Sequence, residues 1–166
     1  MSFFRNRRWN KSDLIALFSL LGLVILFNWR FLTGREIFAF RDLTRYFYPL
    51  RFIMAQQVKS GSLPLWDPNI FCGFPLLATL QIGFFYPLTV IHYLLPFGRA
   101  FNWYIIIHYF LAGAFTYALL RHYRLPAAAA FFGGFVFAFS GYLLSVSNMN
   151  SSLSSVIWLP LVLIAF

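Results

Sequence analysis

LIALFSLLGLVILFNWRFL, residues 14–32, is apolar except at Ser19, Asn28 and Arg30. A helix rises about 1.5 Å per residue, so about 20 residues cross roughly 30 Å of hydrocarbon, and this stretch suffices for one crossing. Arg30 stands near its outer end, where the guanidinium reaches water while the stem stays in lipid. Ahead of it Arg5, Arg7, Arg8 and Lys11 make a basic lead like that of a secretory signal. No small-x-small cleavage site follows, and the apolar run extends to Leu32, so an uncleaved first transmembrane helix is expected.

Working outward, the rest of the chain repeats the theme. Hydrophobic residues make up 61% of the 166 positions, charged residues 10%, and 23 residues are Phe. No soluble domain of this size buries that much apolar surface, so the class expected is an all-α polytopic membrane protein. Residues 101–120 and 127–146 are long enough for two further helices, and 153–166 begins a fourth. That last run reaches Phe166 with no polar flank, which reads as the N-terminal piece of a larger protein. Residues 84–97, with Pro87, His92 and Pro96, would reach only about 21 Å as a helix and are expected to lie at the interface or re-enter. Ala130, Gly134 and Ala138 form a small-residue stripe that suits close helix packing.

Charge orders these elements. Thirteen Lys and Arg stand against four Asp and Glu, for a net +9. The charges flank apolar runs and form no basic stripe, which argues against nucleic acid and for anionic lipid headgroups as partners. By the positive-inside rule residues 1–13 are cytoplasmic. If residues 84–97 do not span, the basic turn Arg121-His122-Tyr123-Arg124 is cytoplasmic too. Residues 33–100 then form a large outer loop and 147–152 a short one, in a multi-pass protein of the cell membrane. Cys72 stands alone, so neither an internal disulfide nor a thiolate metal cluster is available.

In the large loop, Pro49 suits a helix start and Gly61 its end, predicting an interfacial helix over 49–60. Leu50, Ile53, Met54 and Val58 fall on one face, and Arg51, Ala55, Gln56 and Lys59 on the other. Asp67 reads as a turn former in Leu63-Pro64-Leu65-Trp66-Asp67-Pro68-Asn69, and Cys72 as a small packed residue. His108, inside a span, reads either as an interhelical hydrogen-bonding group or as a proton carrier. Asp42 has two readings as well. It is either half of a surface ion pair with Arg41 or Arg45, or a general base at the lip of a cavity.

An ordered set of motifs extends from Arg41-Asp42 through Tyr46-Phe47-Tyr48-Pro49, Gly61-Ser62-Leu63-Pro64-Leu65-Trp66-Asp67-Pro68, Gly73-Phe74-Pro75-Leu76-Leu77-Ala78, Gln81 and Phe85-Tyr86-Pro87-Leu88. Phe139-Ser140-Gly141 and Trp158-Leu159-Pro160-Leu161 continue it. Together they resemble the bacterial YfhO-type membrane proteins, which are similar to GT-C glycosyltransferases. The resemblance implies a GT-C-like helical bundle that moves a sugar from a polyprenyl-phosphate carrier to a cell-envelope acceptor at the outer face. It implies Asp42 as the catalytic group.

On chemical grounds, a carboxylate there can take the acceptor proton, while Arg41, Arg45 or Arg51 meets the charge of the departing phosphate. Gln81 and Tyr86 are candidates to line the site, with interfacial anchoring the other role for Tyr86. The loop Ser147-Asn148-Met149-Asn150-Ser151-Ser152 carries no acid, which leaves Asp42 without the carboxylate partners a hard cation prefers. A metal-independent reaction without a cofactor is therefore expected. The competing function is a non-enzymatic protein that binds or transports lipid-linked intermediates.

Overall fold

The computed structural model describes residues 10–166. Arg5, Arg7 and Arg8, on which the inward orientation of the N-terminus rests, lie outside the described residues. The described chain is all-α, with no strand among its elements. In order these are α1 (Lys11–Phe27), α2 (Trp29–Leu32), a π-helical turn (Leu43–Phe47), α3 (Tyr48–Lys59), α4 (Ile91–Leu94), α5 (Phe97–His122), α6 (Ala127–Ala138), α7 (Gly141–Val146), α8 (Asn150–Val156) and α9 (Leu159–Ala165). Short 3-10 turns occupy Leu77–Thr79 and Pro87–Val90. In place of one helix over 84–97 there is thus a 3-10 turn followed by a single α turn.

The chain divides into two compact units. The first holds residues 10–28, Ile106–Ser145 and Ser154–Phe166; the second holds Trp29–Ile105 and Val146–Leu153. Among the described residues two helices are long and apolar enough to cross a membrane, Phe97–His122 and Ala127–Val146. The α1 helix, at 17 residues, reaches about 25 Å.

In the first unit, α1 starts earlier than the apolar pattern suggests because Asn10 and Asp13 close a capping box. The Asp13 amide donates to Asn10 Oδ1 at 3.0 Å and the Asn10 amide donates to Asp13 Oδ2 at 2.9 Å. The helix stops at Phe27, where the Asn28 side-chain amide donates to the Val24 carbonyl at 2.9 Å and so competes with continuation of the ladder. Residues 14–32 are consequently one helix and a separate turn instead of one unbroken span.

Asp13 is also the anchor between α1 and the far end of α5. Its Oδ1 accepts from Arg121 Nε at 2.6 Å and from the Tyr117 hydroxyl at 2.5 Å, and the carboxylate is 3% exposed. The start of α1 and the end of α5 therefore lie at the same end of this unit. Burial pushes the Asp13 carboxyl up, but the Arg121 hydrogen bond, the Asn10 amide, the Tyr117 hydroxyl and the Arg121 charge outweigh it and hold the group at about 2.

The small-residue stripe of α6 is buried at Ala130, Gly134 and Ala138. A Cβ on Gly134 would stand 2.6 Å from the carbonyl oxygen of Gly113 on α5, and one on Gly113 would stand 3.1 Å from the Gly134 carbonyl. The two backbones are in contact there, which only glycine permits. Ala16, Tyr117 and Ala130 form the adjoining apolar cluster, with Leu17, Leu120 and Phe131 packed on it.

The second unit is held by two devices. Leu50 and Met54 of α3 pack on Leu76 and Ile82, with Phe74, Phe84 and Tyr93 against them. Buried Asn102, near the start of α5, donates to the carbonyls of Phe31 at 2.8 Å and Glu36 at 2.7 Å and accepts from the Phe38 amide at 3.1 Å. One amide side chain thereby supplies hydrogen bonds to an irregular segment that has no ladder of its own. Asp67 is a turn former: its Oδ1 accepts from the Asn69 amide at 2.9 Å, and its backbone pairs with Phe74. Gly73, at φ +126°, lies against the Trp66 ring where a Cβ would stand 2.3 Å from the ring edge. Cys72, expected as a packed residue, is exposed instead, because it sits with Phe71 at the tip of that turn in the left-handed region.

Two expected outcomes follow from the first unit. Asp13→Asn leaves the half-buried Arg121 without its counter-charge and lowers stability by about 2–3 kcal/mol, read from unfolding in detergent. Because the folded carboxyl is depressed, its contribution is complete above pH 4 and is lost as pH falls toward 2, and the variant shows no such acid step. Gly134→Ala lowers stability by about 1–3 kcal/mol, since the obstacle is a backbone carbonyl that no rotamer change can clear. Neutral behaviour in the same assay would mean that α5 and α6 separate at little cost.

Candidate functional site

The sequence-predicted site residues all belong to the second unit. Arg41 carries φ +39°, and its guanidinium lies 5.4 Å over the ring of Phe40. Asp42 precedes the π-helical turn Leu43–Phe47. Turns of this kind widen a helix locally and recur at functional sites. Asp42 is exposed and forms no ion pair or hydrogen bond among the described residues. Arg45, one turn on, is exposed too and does not pair with it.

The short loop 147–152 meets the large one at two points. Asn148 Oδ1 accepts from the Leu43 amide at 3.3 Å, next to Asp42 in the chain. The Ser151 hydroxyl donates to Gln81 Oε1 at 3.0 Å. The short loop thus touches the residue after Asp42 across 105 positions of chain and, separately, Gln81 across 70, and no local pattern could have revealed Asn148 or Ser151. Among the described residues no group of three or more His, Cys, Asp or Glu is placed to hold a metal ion.

Arg51 departs most from the expected picture. Placed by periodicity on the polar face of its helix, it is 1% exposed, and α3 buries Leu50, Arg51, Met54 and Ala55. The helix is covered on two sides: Leu50 and Met54 meet the Leu76 and Ile82 cluster, and Arg51 turns to Tyr104 on α5. Its Nη2 donates to the Tyr104 hydroxyl at 3.1 Å, and the guanidinium carbon lies 4.2 Å over the Tyr104 ring. Nε and Nη1 are buried with no hydrogen-bond partner among the described residues.

Aromatic and polar groups surround this cation. His92 lies 5.2 Å and Tyr86 6.2 Å from the Tyr104 ring, centroid to centroid. The Tyr93 hydroxyl, directed at Met54 Sδ at 3.7 Å, is pushed up by burial, although the Arg51 charge pulls it down. It therefore remains a neutral phenol. Tyr86 is half-buried and caps the Pro87–Val90 turn. His108 is fully buried but belongs to the first unit.

The Gln81 and Ser151 contact predicts coupling between the two loops. In a double-mutant cycle of Gln81→Ala and Ser151→Ala, the stability losses are non-additive by about 1 kcal/mol, measured by thermal unfolding. Additive losses would show that this bond does not join the loops.

No family model, no curated protein and no solved structure matches this chain.

Proposed function

We propose that the chain belongs to a GT-C-like, polyprenyl-phosphate-sugar-dependent glycosyltransferase of YfhO type, acting at the outer face of the cell membrane. The observation that carries the reading is Asp42: an exposed carboxylate without an ion-pair partner among the described residues, beside the π-helical turn and beside the Asn148 contact. A base must be open to its substrate and uncommitted to a cation, and Asp42 meets both conditions.

In the reaction, the acceptor hydroxyl gives its proton to the Asp42 carboxylate while its oxygen attacks the anomeric carbon of the donor sugar. The bond from that carbon to the phosphate oxygen breaks, and the electron pair leaves with the phosphate. An arginine among Arg41, Arg45 and Arg51 meets the charge that develops there. Gln81, held by Ser151, and Tyr86 orient the sugar. The chemistry asks for no metal or cofactor.

The multi-pass arrangement belongs to the same proposal: three spans from α1, α5 and the α6–α7 segment, a fourth begun at α8–α9, and residues 1–13 in the cytoplasm. It is supported by the Asp13–Arg121 contact. If residues 84–97 crossed the membrane, the start of α1 and the end of α5 would fall on opposite sides.

Transfer of radiolabelled sugar from membrane polyprenyl-phosphate carriers, with chelator present, tests the reading. Asp42→Asn at matched expression is expected to lose at least about a hundredfold in rate, because only catalysis needs a base there. An equally active variant would remove Asp42 from the mechanism. Absence of transfer by the wild type would favour the non-enzymatic alternative, a protein that binds or transports lipid-linked intermediates.

A further inference from the structure

Among the described residues, charge accounting leaves the buried Arg51 over. The chain's four carboxylates are Asp13, Glu36, Asp42 and Asp67. Asp13 is held by Arg121 and Glu36 by Arg30. Asp67 is bound within its own turn to Asn69. Asp42 is exposed, and no carboxylate among the described residues pairs with Arg51. A buried guanidinium with one neutral hydrogen bond and one aromatic face has lost its hydration without a counter-charge, a state that proteins rarely keep without a use for it.

From this we infer that Arg51 anchors an oxyanion site, taking a phosphate ester through the open donors at Nε and Nη1 while Tyr104 holds Nη2 from the other side. The inference rests on the transferase reading for the choice of phosphate among oxyanions, and it selects Arg51 among the three arginines. Arg41 and Arg45 are in water, where a guanidinium contact is weakened by solvent; Arg51 is not. On the side of the committed Nη2 the guanidinium lies against Gly83, where a Cβ would stand 3.2 Å from Nη2, and Gly83 also lines a cavity of about 110 Å3 with Leu77, Leu80, Ile82 and Tyr86. The Gly83 turn, at φ +64°, is closed by the Tyr86 amide and the Thr89 hydroxyl, both donating to the Gly83 carbonyl.

The test uses the chain in neutral phosphatidylcholine nanodiscs, with thermal unfolding read against inorganic phosphate, a polyprenyl monophosphate and phosphatidic acid at constant ionic strength. The wild type is expected to gain several degrees with at least one of them. Arg51→Met is expected to start at an equal or higher Tm and to show no gain, because it removes an uncompensated charge while filling the same space. Arg51→Lys, a point charge without the planar fork, is expected to bind roughly tenfold more weakly.

A gain with polyprenyl phosphate but not phosphatidic acid identifies the carrier, and a gain with all three identifies the phosphate group alone. The proposal is overturned if none of the three shifts the wild type, if Arg51→Met gains as much as the wild type, or if Arg51→Met unfolds or loses stability. The last result would make the guanidinium a structural strut. Sugar transfer without an anion effect at Arg51 sinks this inference alone, and an Arg51-dependent anion effect without transfer sinks the transferase and leaves the anion site.

Discussion

A guanidinium withdrawn from water must be given back most of what hydration supplied, and among the described residues Arg121 is withdrawn in part and Arg51 fully. Around Arg121 the repayment is complete: Asp13 sits 2.6 Å from Nε and the Leu125 carbonyl accepts from Nη1 at 2.8 Å. Around Arg51 it is partial, with a phenol hydroxyl and a ring face. In a low-dielectric setting the difference between a carboxylate and a phenol opposite the same cation is large. The first arrangement joins helix ends. The second keeps a strong donor group dry and uncommitted, which is the condition under which an arginine recognises a phosphate most strongly.

Scarcity of acids makes this accounting informative. With four carboxylates against thirteen basic residues, each acid has a definable assignment, and the one left exposed and unpaired, Asp42, is the one the transferase chemistry asks for. In an acid-rich chain an unpaired surface aspartate would mean little. Among the described residues the other carboxylate outside an ion pair, Asp67, is fully buried, so it is unavailable to take a proton from a substrate.

The helical class was legible because composition and segment length act before any tertiary contact is made. Helix ends were less so. The beginning of α1 was misplaced because the apolar pattern starts at Leu14 while the helix is started by Asn10 and Asp13, polar residues whose geometry periodicity ignores. In the candidate site the exposure of Asp42 is legible, because it depends on local position alone. Arg51 was assigned to a polar face on the assumption that α3 has one covered side; it has two, and the second cover, Tyr104, is 53 positions away. Asn102, Asn148 and Ser151 act on backbone or side chains far along the chain, and nothing in their own neighbourhood marks them.

Irregular backbone is the common reason for those distant amides and hydroxyls. The segment between α2 and the π-helical turn, and the stretch between α3 and α4, have few ladder bonds of their own, and side chains supply part of what is missing. Asn102 bonds Glu36 and Phe38 of the first segment and Phe31 in α2, Thr89 donates to the Gly83 carbonyl at 2.7 Å in the second, and Asn148 meets the Leu43 amide where the π-helical turn begins. A loop held by side chains instead of by a ladder can be redrawn by changing a few contacts, without unzipping a helix. The turn at Gly83, which lies against the Arg51 guanidinium, combines both kinds of support, with the Tyr86 amide and the Thr89 hydroxyl sharing one carbonyl, so that a backbone bond and a side-chain bond together fix the chain beside the buried cation.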